Sequence, residues 1–327
     1  MDEKVERKQA RRRIGSMGWV LLIYYAIMNE MVMSVAMIDS IVYLVKYLFQ
    51  NPMPDYWELY DLVVSRLTDT MTSSGVGYIL AILIGTGIIL LWKKPRYFKE
   101  TLLRRNKPMT FGTFLALLCV FISVQTFAQL FSPLMEYVLN LMGLSAMAAL
   151  EAATITADTV SMLLYIAFLG PISEEILFRG LILRTLEPYG KRFAILASGL
   201  MFGMFHGNII QTPYAILVGI VLGYVTVEYS IVWAIILHIF NNFVLSDLMG
   251  RLYGIAPAVA DVLMWVILIG ASIATIVLMI CRRKTMKEYY TENRHNALAS
   301  RAMFTSPGIL ALMALMLVSI ILTVTKL

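Results

Sequence analysis

Nine stretches of the chain stay apolar for about the twenty residues that a helix needs to cross a bilayer, and polar segments separate them. They lie at residues 15–38, 74–92, 109–131, 156–186, 191–210, 213–229, 231–249, 258–281 and 305–325, and residues 39–48 extend the first helix. Eight is the alternative count. Pro171 falls inside the fourth stretch and predicts a kink or break there, because proline has no N–H to give to the preceding turn. The pattern therefore predicts an all-α fold, a polytopic transmembrane helical bundle. No sequence repeat, low-complexity tract or soluble domain interrupts it, and the longest polar loop, 282–304, reads as a solvated linker.

Composition supports the membrane reading. Hydrophobic residues make up 59% of the chain and charged ones 15%, against roughly 25% charged in a soluble domain. The formal charge of +6 does not point to nucleic acid, because the basic residues lie between apolar runs rather than on one face. The N-terminal tail holds six Lys and Arg, the 93–107 loop seven, the 184–192 loop three and the 282–301 loop six. The intervening loops, 49–73, 132–155, 207–212 and 250–257, hold one, none, none and one. This alternation predicts a cytoplasmic N-terminus and an external C-terminus. The tail Met1–Arg13 is too charged for a secretory leader, and the apolar run after it lacks a small-residue cleavage signal, so it reads as a retained span. Cys119 and Cys281 have no spacing motif and read as reduced packing residues. Short loops favour a prokaryotic plasma membrane.

Ionisable residues within such spans are costly and mark function by default. The densest set is Gly170-Pro-Ile-Ser-Glu-Glu-Ile-Leu-Phe-Arg-Gly180. Glu175 and Arg179 share a helical face at i,i+4 and can pair. Glu174 points about 100° away, with no Lys or Arg at i±3 or i±4, so one carboxylate is neutralised and the other left available as a base. Phe202-Gly-Met-Phe-His206 and His238-Ile-Phe-Asn-Asn242 follow on later spans. Helical rise puts Glu174 roughly 15 Å, His206 roughly 20 Å and His238 roughly 12 Å from the basic end of their spans. One band can therefore hold all of them. Gly199, Gly203 and Gly207, with Gly219 and Gly223 in the next span, form small-residue ridges that let helices approach closely. The third histidine, His295, falls in a charged loop and reads as solvated.

Glu174-Glu175-x-x-x-Arg179, Phe202-x-x-x-His206 and His238-x-x-x-Asn242, in that order on three membrane helices, resemble the signature of the CAAX-processing and bacteriocin-processing (CPBP, or Abi) family of intramembrane peptidases. The likeness covers about residues 155–250. It divides the chain into N-terminal transmembrane helices with a basic cytoplasmic loop (1–150), a catalytic core (151–250) and C-terminal transmembrane helices (251–327). The resemblance implies an endopeptidase acting on a membrane-associated or leader-type peptide, with Glu174 and His206 activating water. It implies that His238 and Asn242 stabilise the oxyanion, while Glu175, Arg179 and Phe202 give structural support.

The resemblance admits both a metal-dependent and a metal-free glutamate mechanism. A zinc site would draw on Glu174, His206 and His238. The chain lacks HExxH, and Asn242 suits hydrogen-bond donation better than zinc ligation, so no cofactor is the favoured reading. The expected partners are a peptide or membrane-protein substrate and the lipid bilayer, without nucleic acid; oligomeric state is open. Two other classes compete: a non-proteolytic immunity or scaffold protein of the same fold, and a secondary transporter, whose ionisable residues would sit at broken helices. The absence of an inverted repeat weighs against the transporter. Met28–Met37 reads as packing or lipid-facing surface, and Glu30 and Asp39 in the first helix as paired groups rather than a cavity lining.

Overall fold

The computed structural model describes residues 3–51, 54–97, 102–148, 151, 157–293 and 297–326, so His295 lies outside the described residues. Twelve helices carry nearly all of the described chain: α1 (Glu3–Gln50), α2 (Tyr56–Ser73), α3 (Val76–Tyr97), α4 (Phe111–Leu141), α5 (Val160–Tyr189), α6 (Lys191–Phe205), α7 (Gln211–Glu228), α8 (Ile231–Ile255), α9 (Pro257–Cys281), α10 (Arg283–Glu292), α11 (Ala297–Phe304) and α12 (Pro307–Leu322). A two-residue ribbon pairs β1 (Leu144–Ser145) antiparallel to β2 (Thr325–Lys326). The fold is an all-α polytopic bundle.

Each of the nine expected stretches is helical, yet seven helices among the described residues are long and apolar enough to cross a membrane. An eighth is reached if α11 and α12, bent by 62°, count as one span. The stretch that falls short is 191–210. Its helix α6 has 15 residues, about 22 Å at 1.5 Å per residue against a hydrocarbon core of about 30 Å. It ends because Gly207 takes φ 61°, a conformation that a side chain would strain, and reverses the chain. Asn208 then accepts from the backbone N–H of Ile210 and Gln211, satisfying the start of α7.

The basic loops gather at one end of the bundle. Glu228, buried at the end of α7, accepts from Lys107 at 2.6 Å, Lys191 at 2.9 Å and the Tyr289 hydroxyl at 3.1 Å. Arg104 bonds Glu187, and Arg192 bonds the Tyr290 hydroxyl at 2.7 Å. At the same end Arg11 donates to the Thr305 carbonyl at 2.8 Å. The opposite end is tied by Thr159 to the Ser73 carbonyl, the Gly75 N–H to Ser161, Arg251 to Asp247 at 2.7 Å, Ser145 to Glu136 at 2.6 Å, and β1 to β2. Sequence had separated these loops by charge alone, and the fold separates them in space. Beyond that second end α1 continues and pairs with α2, where Asp39 meets Arg66 at 2.6 Å and Thr70 at 2.8 Å, the pairing that the sequence favoured for it. Glu30 is exposed.

Glycine decides the closest helix contact. A Cβ at Gly203 would lie 2.3 Å from Ile216 Cγ1 and 2.6 Å from its backbone nitrogen, and one at Gly219 would lie 2.9 Å from Gly199 Cα. These positions let α6 and α7 touch along their backbones. Gly207, expected in the same ridge, serves the turn instead.

Candidate active site

The wall of the site is α5, and its backbone departs from a regular α-helix on both sides of the glutamates. Residues Leu164–Leu169 and Ile176–Leu183 form π-turns around a six-residue α segment, Gly170–Glu175. Pro171 offers no N–H to the Ala167 carbonyl, and the turn before it widens so that the Gly170 N–H reaches the Tyr165 carbonyl. The expected kink is thus taken up as π-helical widening within a helix that continues. A third π-turn, Phe240–Leu248, follows His238 in α8.

Glu175 and Arg179 are paired as their spacing implied. Both are fully buried, and Arg179 Nη1 lies 3.0 Å from Glu175 Oε1. That contact lacks the alignment of a hydrogen bond, so the attraction is coulombic. Arg179 also donates from Nη2 to the Gly219 carbonyl at 3.2 Å and lies over the Phe202 ring, 4.3 Å from its centroid. Phe202 in turn sets its ring edge-to-face against His206 at 4.8 Å and His238 at 5.7 Å. The phenylalanine of the second motif is therefore the spacer that holds both imidazoles against the arginine.

Each histidine is oriented by a partner at Nδ1. His206 Nδ1 is 2.9 Å from the Phe202 carbonyl, and His238 Nδ1 is 2.9 Å from Glu175 Oε1. Both partners are acceptors, so Nδ1 carries the hydrogen and donates, leaving Nε2 to face the site. His238 Nε2 lies 3.7 Å from Glu174 Oε2, beyond a direct hydrogen bond. The Glu174 side chain is 31% exposed while Glu175 is fully enclosed, which separates the two neighbours into a reachable and a structural carboxylate. Asn242 donates to the Ile166 carbonyl at 2.9 Å and accepts from Asn241 at 3.0 Å, so one of its two amide hydrogens stays uncommitted by these bonds.

These groups share one cavity of about 850 Å³, whose lining includes Glu174, Phe202, His206, His238, Asn241 and Asn242. Sequence reading missed the facing polar wall. Gln125 of α4 donates to Asn241 at 2.6 Å and contacts the Tyr214 hydroxyl, which itself donates to Asn241 at 2.9 Å. Two amides at i,i+4, Gln125 and Gln129, break the apolar run of α4 and were the signal for Gln125; nothing in the local pattern of α7 marked Tyr214. Tyr165 lines the same cavity and stacks on Tyr78 with ring centroids 4.4 Å apart.

The zinc alternative meets a geometric test here. Among the described residues, no three His, Cys, Asp or Glu side chains converge as a metal ion requires. Glu174, His206 and His238 line one cavity without forming such a donor set.

Residues 156–244 match the model of a family described as Rce1-like, type II CAAX prenyl endopeptidase Rce1-like. The central segment is similar to that family. The match takes in every motif residue from Glu174 to Asn242 and agrees with the CPBP resemblance read from the sequence, at the level of a CAAX-type intramembrane endopeptidase family. It leaves α1–α4 and α9–α12 unmatched. No curated protein and no solved structure gives a significant match to the chain.

Proposed function

We propose that the chain is an intramembrane endopeptidase that hydrolyses a peptide bond with a water activated by Glu174. One observation carries the reading: a cavity-exposed glutamate stands beside two imidazoles whose Nδ1 atoms are already committed, while a second glutamate and an arginine lock the helix behind it. That is the division of labour a general base needs, with one group free to take a proton and its neighbours fixed in place.

Glu174 takes the proton of a water held between it and His206 Nε2, and the hydroxide attacks the scissile carbonyl. The oxyanion develops against the uncommitted amide hydrogen of Asn242, with His238 beside it. Glu174 then returns the proton to the leaving amine. With its basic loops at one end, the chain lies in a prokaryotic plasma membrane with that end in the cytoplasm.

The test is Glu174→Gln in reconstituted protein offered a mixture of peptides. The amide keeps the shape but cannot serve as the base. Cleavage by wild type, with loss in the variant and unchanged folding, is expected; a variant rate within about tenfold of wild type would remove Glu174 from the role, since general-base catalysis contributes about 10²–10⁴. Dialysis against a strong chelator separates the two chemistries. Activity should survive with well under one metal per chain, and a loss that only zinc reverses would overturn the metal-free mechanism.

A further inference from the structure

Among the described residues the exposed part of the cavity lining lies at the end of the bundle away from the basic loops. Its exposed lining residues are Thr72 at the end of α2, Gln129 and Pro133 late in α4, Met147 after β1, Glu151, and Ser246 late in α8. All belong to segments that meet at the end away from the basic loops. Its buried lining lies deeper, at Gly170, Phe202 and His238. No residue of 93–107, 184–192, 226–232 or 282–304 lines it among the described residues.

Toward the basic end the path is closed by packing. Leu177, Phe178, Leu181, Ile182, Leu183 and Leu186 of α5 are all within 1% of full burial. Beyond them Arg184 donates to the Thr226 carbonyl at 3.2 Å and to Glu187 at 2.9 Å, and the Glu228 cluster crosses the same level. An extended peptide has no route through such a plug, because protein interiors pack without channels of that size.

Helix length explains the asymmetry. From the basic end α6 and α7 rise about 22 and 27 Å, whereas α4 with 31 residues and α8 with 25 have contours of about 46 and 37 Å. The short pair leaves a void over its turn, and the longer helices wall it.

We infer that substrate reaches Glu174 from the end opposite the basic loops, so that the peptide cleaved is an extracytoplasmic segment of an exported or membrane-anchored protein. This rests on the peptidase reading for the word substrate, but the route itself does not. Where the basic end faces the cytoplasm, a cytosolic C-terminus is not presented to the site.

Single cysteines test it in a chain whose Cys119 and Cys281 are replaced by serine. Gln129→Cys reports the cavity mouth and Lys284→Cys, on exposed α10, reports the basic end. A membrane-impermeant maleimide is applied to sealed right-side-out and inside-out vesicles. The expected result is Gln129→Cys labelled in right-side-out vesicles and Lys284→Cys labelled only in inside-out ones. Labelling of both in the same vesicles, or of Gln129→Cys in neither, overturns the inference. Labelling needs no catalysis, and peptide cleavage measured separately in detergent decides the peptidase reading by itself.

Discussion

Cutting the Glu175–Arg179 pair shows whether the helix behind Glu174 is held by charge. Both side chains are fully buried, with 3.0 Å between Nη1 and Oε1. Removing either partner strands a charge at low dielectric, which costs about 3–5 kcal/mol. The two halves are not equivalent. A stranded carboxylate can be neutralised by taking up a proton. A guanidinium has no such escape. Glu175→Ala leaves Arg179 with the Gly219 carbonyl and the Phe202 ring, the latter contact worth about 2 kcal/mol when desolvated. Arg179→Ala leaves Glu175 still facing His238.

Glu175→Ala should therefore be the more damaging of the two single changes. Equilibrium unfolding in mixed micelles would be run on wild type, both single alanines and the double. The double should cost at least about 2 kcal/mol less than the sum of the singles, and additivity within about 0.5 kcal/mol would refute the pairing as an energetic unit.

Gly203→Ala should lower folded yield and thermal stability, by about 1–3 kcal/mol of overpacking, because its Cβ meets Ile216 backbone; Gly87→Ala, with nothing within 4 Å, is the control that should change little. Equal thermal stability of the two variants would count against backbone contact between α6 and α7. Asn242→Ala should lower kcat by about 10²–10³ with little change in KM, as for a lost oxyanion donor, and a rise confined to KM would remove it from that role. Asn241→Ala, which removes the bond to the Asn242 carbonyl oxygen and also the acceptor of Gln125 and Tyr214, should lose at least about tenfold in kcat, the equivalent of one hydrogen bond. Lys107 is held above its ordinary range by its hydrogen bond to Glu228, so the stability it adds is present below about pH 10.4 and is lost as pH rises through the raised value. Thermal melts of Lys107→Met should accordingly trail wild type near neutrality and converge with it in strongly alkaline buffer.

What the sequence showed depended on how local the cause was. The Glu175–Arg179 pair is a helical i,i+4 relation, and it survives in α5 even though the turns around it are π-helical. The grouping of Glu174, His206 and His238 in one band followed from helical rise and loop charge, both of which can be counted along the chain. The role of Phe202 as a spacer between Arg179 and the two imidazoles was invisible, because it arises from three helices meeting at one ring. Gln125, Tyr214 and Asn241 were missed for the same reason: each is an ordinary residue until the fold sets it across the cavity from Glu174. The count of spans slipped at 191–210, where hydropathy continued past His206 but Gly207 turned the backbone.

That turn is also what makes the site. A sixth helix long enough to cross the bilayer would carry apolar side chains through the space where the cavity now opens, and His206 would be one more packed residue in its middle. Ending α6 at Phe205 puts His206 at a helix terminus with its Nδ1 bonded back to Phe202 and its ring at the floor of an open cavity. Gly203 and Gly219 then draw α7 close enough that the Gly219 carbonyl caps Arg179, which fixes Glu175, which orients His238. The chain from a glycine turn to an oriented imidazole runs entirely through backbone geometry and buried polar contacts. It explains why the polar residues cluster beside the shortest helix of the bundle's core and why the space above them stays open.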